Sequence, residues 1–423
     1  MSHVNQDDTL LEINQDSRLS LSKLNQESRQ PEIIQDSRLS ALNLNQDSSL
    51  NSCFHDFSSS AEDQYSLDSS RLSGAAHFSG VSVGGPHFSS FYSDPPPFDL
   101  DYYVALHNRV YSLGQPNLLG ARLSVPSSLN LSLWRSLLTG YSDEVVCDFL
   151  EFGWPIGYDY SGFLPSSDFR NHGGALDFPS AVDSYLSTEI ALGSVCGPFV
   201  SNPFSAPFAV SPLNSVPKPD TTERRFILDL SWPEGSSVND GISNDVYLGG
   251  PVSLTYPTVD DIADRIIQLG PGCLLFKRDL KRAYRQLPVD PFDYPLLGYS
   301  WRDRLFFDVR LPMGLRCAAM SCQRVTNAIC FMLSQAGCDV LSYLDDFIGI
   351  SVPHTAYDHY SSSGSLLQAL GLQESSHKAC PPSTQVTCLG VLSDTINFTM
   401  FSRLSGVEYI KNSRNRRVRI CCL

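Results

Sequence analysis

The chain has 423 residues, 42% of them apolar, enough to bury a sizeable core in one large domain or in two or three smaller ones. Its formal net charge of −15 excludes a protein whose main task is to coat nucleic acid, because phosphate binding needs clustered Lys and Arg. Residues 1–100 hold 14 Asp and Glu against 5 Lys and Arg, a net of −9, so the remainder is only mildly acidic and leaves room for an enzyme with a local basic groove.

In chain order, the first segment is repetitive. Asn14-Gln15-Asp16-Ser17-Arg18-Leu19-Ser20 returns as Ile34-Gln35-Asp36-Ser37-Arg38-Leu39-Ser40, with partial copies at Asn5, Asn25 and Asn45, a period of 20 residues. Such a period can mark a solenoid. Apolar residues are too sparse here for a continuous core, so a disordered leader is the expectation. Residues 51–100 are rich in Ser, Gly and Pro, end in Pro95-Pro96-Pro97 and read as a linker.

Residues 101–200 read as a helical extension. Ser142-Asp143-Glu144 before Val145, Val146, Phe149 and Leu150 predicts an N-cap, an acidic first turn and a short helix. Pro179, then Ala181, Val182, Tyr185, Leu186 and Ile190, predicts a second helix over 179–192, closed by Gly193. From Pro203 the chain changes to short strands, Pro and Gly turns and a few helices, the mark of an α+β domain over 201–400. Residues 401–423 read as a basic tail without an apolar pattern.

The 12 cysteines include no CxxC pair and no zinc-like His spacing, so Cys330 and Cys388 read as small buried hydrophobes. There is no secretion-signal pattern and no apolar run of membrane length, which makes an intracellular compartment the default. Cys421-Cys422-Leu423 lacks the Cys four residues from the end that a lipidation signal requires.

The sharpest feature is Val340-Leu341-Ser342-Tyr343-Leu344-Asp345-Asp346-Phe347-Ile348-Gly349-Ile350. Apolar β-formers on both sides of two acids predict a hairpin with the acids at its tip. Adjacent carboxylates repel, which is tolerable when a hard divalent cation sits between them; a solvated Asp-Asp turn is the plainer reading. A second β-type run, Cys273-Leu274-Leu275-Phe276-Lys277-Arg278, ends in Asp279. A third carboxylate on a neighbouring strand would complete a site for two metal ions and an in-line phosphoryl transfer. Lys277 to Arg285 holds five basic residues to one acid, which fits either a groove for a phosphate backbone or a solvated charged helix face.

These residues resemble the reverse transcriptases of retroelements, whose signature is an aromatic-x-Asp-Asp hairpin, here Tyr343-Leu344-Asp345-Asp346. Further family motifs follow in order over about residues 140–395. Lys218 and Arg225-Phe226-Ile227-Leu228-Asp229 look like the fingers segment that grips the incoming triphosphate. Asp279 looks like the first catalytic acid, and Tyr284 sits where the family places its sugar-gate aromatic; a core aromatic is the alternative. Leu311-Pro312-Met313-Gly314 resembles the turn beneath template and nucleotide, and Val325, Ala328, Ile329, Met332 and Leu333 mark the helix after it, ending at Gly337. Lys378 looks like the lysine near the leaving pyrophosphate, and Cys388-Leu389-Gly390-Val391 like the hairpin that holds the primer end.

The likeness is greatest to DIRS-type elements, which pair a reverse transcriptase with a tyrosine recombinase. It rests on Asn171-His172-Gly173-Gly174-Ala175-Leu176, on Ser211 to Lys218 and on Gly235 to Ile242. The resemblance implies a right-hand palm and fingers with an antiparallel palm sheet. It implies Mg²⁺, or Mn²⁺ in its place, held by Asp279, Asp345 and Asp346. Lys378 would join these acids in catalysis, and Lys218, Arg225, Tyr284, Met313 and Gly314 would contact the nucleotide. The implied partners are a primed RNA or DNA template and deoxynucleotides. Met313 stands where many retroviral relatives have Gln, which makes that contact apolar. RNase H and recombinase parts are not in this chain, so it reads as a copy truncated after the palm with an incomplete thumb. Two rival readings are a catalytically silent remnant that only binds nucleic acid or a partner protein, and an RNA-dependent RNA polymerase, which a bulky Tyr284 would oppose.

Overall fold

The computed structural model describes residues 100–114, 123–165, 170–218, 221–402, 407–411 and 418–422. The expectations for the repeats and the linker fall outside the described residues. Helices come first: α1 (Leu100–Ser112), α2 (Leu131–Leu137), α3 (Val146–Phe152), α4 (Gly173–Leu176) and α5 (Pro179–Ala191). Asn130 caps α2 by accepting the Leu133 N–H, and buried Trp134 donates its indole N–H to the Leu370 carbonyl at 3.1 Å.

The stripe predicted for α3 is buried at Val146, Phe149 and Leu150. The cap predicted at Ser142 does not form. The helix starts after Val145 with no side-chain cap, and Asp143 pairs instead with Arg324 at 2.7 Å. A charge-assisted carboxylate–guanidinium pair is stronger than a neutral cap bond. Helix α5 starts at Pro179 and ends before Gly193, which adopts φ +64°, as its sequence predicts.

Antiparallel sheet and helix follow, so the fold is α+β. The strands β1 (Val195–Phe199), β2 (Leu213–Pro217), β3 (Arg224–Leu228), β4 (Val246–Tyr247) and β5 (Gly250–Pro251) precede helix α6 (Val259–Leu269). A capping box between Thr258 and Asp261 opens α6, which buries Ile262, Ala263 and Ile266. Then come β6 (Leu274–Asp279), β7 (Gly298–Trp301), β8 (Arg304–Asp308), α7 (Ala318–Gln335), β9 (Val340–Tyr343), β10 (Asp346–Ser351) and α8 (Ala356–Ala369). The chain closes through β11 (Cys380–Ser383), β12 (Gln385–Cys388), β13 (Val391–Asp394), β14 (Thr399–Ser402), β15 (Val407–Lys411) and β16 (Val418–Cys422). Among the described residues no helix is long and apolar enough to cross a membrane.

Strand β1 precedes residue 200 yet pairs with β8, and one core cluster runs from Leu129 to Leu372. Among the described residues, that cluster takes side chains from both sides of position 200. The tail expected to lack a pattern forms β15 and β16, which extend the sheet β12-β13-β14-β15-β16. Strand β16 is Val418-Arg419-Ile420-Cys421-Cys422, and the basic run Arg414-Asn415-Arg416-Arg417 just before it dominates a reading by charge.

The sheet that matters most has the order β11-β6-β10-β9. Its faces are filled separately. Phe276 and Phe347 join the large core with α7 and α8, while Leu275, Ile348 and Ile350 join a second core with α6 and the β12–β13 hairpin. A fully buried side chain of this kind is worth about 1.5–3 kcal/mol, so the sheet is held from both sides. Gly349 is required for this packing, because a Cβ there would lie 2.0 Å from the Phe276 ring.

Candidate active site

The middle strands of this sheet bring two of the predicted acids side by side. Strands β6 and β10 are antiparallel, with Asp346 directly opposite Asp279. Across the hairpin, Asp346 faces Tyr343, so the turn proper is Leu344-Asp345, with Leu344 at φ +53°. The tip thus holds one acid, and the second begins the returning strand. The carbonyl of Asp345 accepts the Leu280 N–H at 2.9 Å, which ties the turn to the end of β6. Alternation puts Asp279 and Asp346 on the face of Leu275 and Ile348, where the second core ends.

Lys378 completes the group from 99 residues further on. Its ammonium donates to both oxygens of Asp279, at 3.1 and 3.0 Å. A bond from Ser375 N–H to the Asp279 carbonyl fixes the turn that carries it. Lys277 donates to Asp346 Oδ2 at 2.9 Å. Burial, and then the nearby Asp279, raises the pKa of Asp345; its own backbone, Lys378 and Lys277 pull the other way. Asp346 is raised by burial and by Asp345 and Asp279, against the pull of Lys277. Burial opposes the charge on Lys277, but its pair with Asp346 prevails and its pKa is raised.

Three acids were expected to converge as a metal-ligand cluster. They are neighbours, yet among the described residues no three His, Cys, Asp or Glu side chains are drawn together as a metal site. Like-charged carboxylates repel, and two of these three lie against a lysine. The chemistry of the donor set still fits a hard divalent cation, because all three groups are carboxylates and ammonium groups already occupy their cation-facing side.

Tyr284 lies on a short 3₁₀ turn, Ala283–Gln286, after β6. Burial raises its hydroxyl pKa, as do Cys322, Asp345, Tyr256 and Tyr343 nearby, so it borders the acid turn while packing against the large core. The Leu311-Pro312-Met313-Gly314 turn precedes α7, with Met313 and Gly314 exposed. Gly314 adopts φ +104°, and a Cβ there would lie 2.2 Å from the Leu228 carbonyl. Lys218 and Arg225 stand elsewhere, on the β2–β3 hairpin, where Arg225 is exposed and Lys218 pairs with Glu223 at 2.7 Å. The Cys388-Leu389-Gly390-Val391 turn joins β12 to β13, with Leu389 and Gly390 both at positive φ.

The basic run does not form a groove. Arg278 is buried against Glu374 and the carbonyl and ring of Tyr360. Arg282 and Arg285 donate to buried Glu189, and Arg285 also lies 2.7 Å from Asp308. Lys277 faces Asp346, and only Lys281 of the five is exposed. Strand alternation and buried acids draw these cations inward, which a count of charges along the sequence does not register.

Two residues position the acid turn and the Met313-Gly314 turn: Gln323, which gave no sequence signal, and Asn239, which lies in the Gly235 to Ile242 stretch. Gln323 on α7 is fully buried; its carbonyl oxygen accepts the Leu344 N–H at 2.7 Å and its amide donates to the Ser342 carbonyl at 2.8 Å. It holds the acid turn from below. Asn239 donates to the Gly314 carbonyl at 2.8 Å and accepts the Arg316 N–H at 2.9 Å, clamping the second turn. The quoted stretches around His172, Leu213 and Asn239 are joints of the same kind: His172 N–H bonds the Leu213 carbonyl, and the His172 ring pairs with Asp229 at 2.9 Å.

No family model matches the chain, and no curated protein matches it by sequence. Solved structures of similar fold include the prototype foamy virus protease-reverse transcriptase, at 15% identity and TM-score 0.45, over 74% of this chain and 36% of that one. A foamy viral protease-reverse transcriptase in complex with double-stranded DNA is similar at 13% identity and TM-score 0.44, over 71% and 50%. The foamy viral enzyme in complex with an RNA/DNA hybrid is similar at 16% identity and TM-score 0.42, over 66% and 37%. The chain thus spans between 36% and 50% of the length of these three structures.

Proposed function

We propose that the chain is the palm and fingers core of a retroelement reverse transcriptase, an RNA-directed DNA polymerase that adds deoxynucleotides to a primer on an RNA or DNA template. One observation carries the reading: Asp279 and Asp346 face each other on paired strand ends, with Asp345 in the adjoining turn and Lys378 against Asp279. These acids would hold Mg²⁺, or Mn²⁺ in its place. When bound, the ions supply charge neutralisation at the transferring phosphoryl and at the attacking primer oxygen.

The chain's own residues do the rest. Lys378, half exposed, would turn from Asp279 to the departing pyrophosphate. Lys218 and Arg225 would grip the triphosphate from the fingers. The Lys218–Glu223 pair is a surface pair, with Glu223 70% exposed, and such pairs are weak enough to exchange for phosphate. Tyr284 would exclude a 2′-hydroxyl by occupying its place. The exposed Met313-Gly314 backbone would let the nucleotide approach closely. The DIRS-type motifs favour an element whose RNase H and recombinase parts lie on a longer or separate chain.

The test is primer extension by the full chain on RNA and DNA templates, with Mg²⁺ or Mn²⁺. The wild type adds deoxynucleotides and Asp345→Asn does not. A folded wild type that binds primed template yet extends nothing is the catalytically silent remnant instead.

A further inference from the structure

We infer that Lys277 is a built-in counter-cation of Asp346 that holds the nucleotide-free site at low affinity for divalent cations, so that metal enters together with the triphosphate. This rests on the function proposed above and adds an order of binding to it.

Lys277 sits on the middle strand of the sheet, two residues before Asp279 and on the same face. Its register partners are Ile348 on one side and Cys380 on the other. From there it reaches diagonally along the sheet, and its ammonium stands 2.9 Å from Asp346 Oδ2. Diagonal cross-strand neighbours lie within reach of long side chains. Only 19% of the Lys277 side chain is exposed. Lysine is almost never buried without a partner, and here the partner is a carboxylate proposed to hold metal.

The surrounding residues would accept an apolar side chain at this position, because Leu275 and Ile348 beside it belong to a core. A lysine there has an electrostatic consequence. Lys378 pairs with Asp279 and Lys277 with Asp346, and the adjoining Asp345 makes three acids against two lysines, a single excess negative charge. That is little to attract two divalent ions into a site that is partly shielded from water. A nucleoside triphosphate brings several negative charges of its own and tips the balance toward metal. Lys378, half exposed, can swing away to the phosphates, whereas Lys277 is held in the sheet.

The experiment measures Mn²⁺ binding to the nucleotide-free full chain by electron paramagnetic resonance. It compares the wild type with Lys277→Met, Lys277→Arg and Asp345→Asn, each checked for folding by circular dichroism. Lys277→Met removes the charge at nearly constant volume and should tighten Mn²⁺ binding by roughly tenfold or more, given the size of a screened interaction between unit charges a few ångströms apart. Lys277→Arg should stay near wild type, and the gap between wild type and Lys277→Met should narrow once deoxynucleoside triphosphate is added. Should Lys277→Met fail to fold, Lys277→Gln carries the same expectation. A folded neutral variant with wild-type affinity, alongside weakened binding in Asp345→Asn, overturns the inference and leaves the polymerase reading standing. No protein-bound Mn²⁺ at millimolar concentration in any of the proteins, with deoxynucleoside triphosphate present as well as absent, overturns both.

Discussion

Two clusters of charge share cations from one short run, Arg282 and Arg285 in the first and Lys277 in the second, and they are built to opposite ends. Behind the sheet, Glu189 and Asp308 meet Arg282 and Arg285, two acids against two bases, with both acids buried. At the ends of the middle strands, Asp279, Asp345 and Asp346 meet Lys277 and Lys378, with one acid in excess and Lys378 half exposed. A buried cluster with balanced charge fixes how α5 and β8 pack. An unbalanced cluster that opens toward solvent retains capacity for another cation. The difference shows how to read charge in a fold: balance and direction matter more than density.

The largest expected effect comes from the unbalanced cluster. Asp345→Asn should cut nucleotide addition by about a thousandfold or more, since metal-held charge is worth several kcal/mol and each ~1.4 kcal/mol is a factor of ten. Its melting temperature should stay near that of the wild type; a large drop would place Asp345 among the structural acids. Glu189→Gln should do the reverse. Removing one partner of a buried pair costs about 3–5 kcal/mol, read from denaturant unfolding, while the rate per folded molecule holds. If instead its rate collapses with stability intact, the two clusters are not separate.

Next is Tyr284→Ala. Incorporation of ribonucleotides relative to deoxynucleotides, as a ratio of kcat/KM, should rise by about 10–100-fold, the scale at which a steric pocket discriminates. An unchanged ratio in an active variant returns Tyr284 to the core. Gln323→Leu should be milder. The unsatisfied Leu344 N–H costs about 1–3 kcal/mol, and activity should fall further than stability because the acid turn loses its support.

The smallest effect is with pH. Asp345 and Asp346 titrate above the usual 3.8, so the folded chain keeps protons there that the unfolded chain has released. Their contribution to stability is full below 3.8 and is lost as pH rises through their raised folded values. Activity should run the other way, rising as they ionise, with an acid limb centred above 3.8. Melting of the metal-free protein across this range, with Asp345→Asn as the control, checks the sign.

Much of this was legible in the sequence, for identifiable reasons. The acid hairpin was readable because β-formers flank it on both sides, and α7 because Val325, Ala328, Ile329, Met332 and Leu333 keep helical spacing. Lys378 was placed by resemblance alone, and the structure sets it against Asp279. The inward turn of the basic run was not legible, because the acids that receive it lie as far as 96 residues away. Gln323 was invisible for a related reason: a glutamine in a helix ordinarily faces water, and only the turn above it makes burial favourable. Strand β16 was lost beside the basic run Arg414-Asn415-Arg416-Arg417 that precedes it.

The order of the sheet β11-β6-β10-β9 has a consequence for synthesis. The central strand β6 leaves the ribosome well before either neighbour, and Lys378 follows Asp279 by 99 positions. Throughout that interval Leu274-Leu275-Phe276 is a short, strongly β-forming segment with both edges bare, the kind that pairs with other nascent chains. The charges that follow at once, Lys277-Arg278-Asp279, therefore serve as gatekeepers against aggregation before they take up their places in the finished sheet.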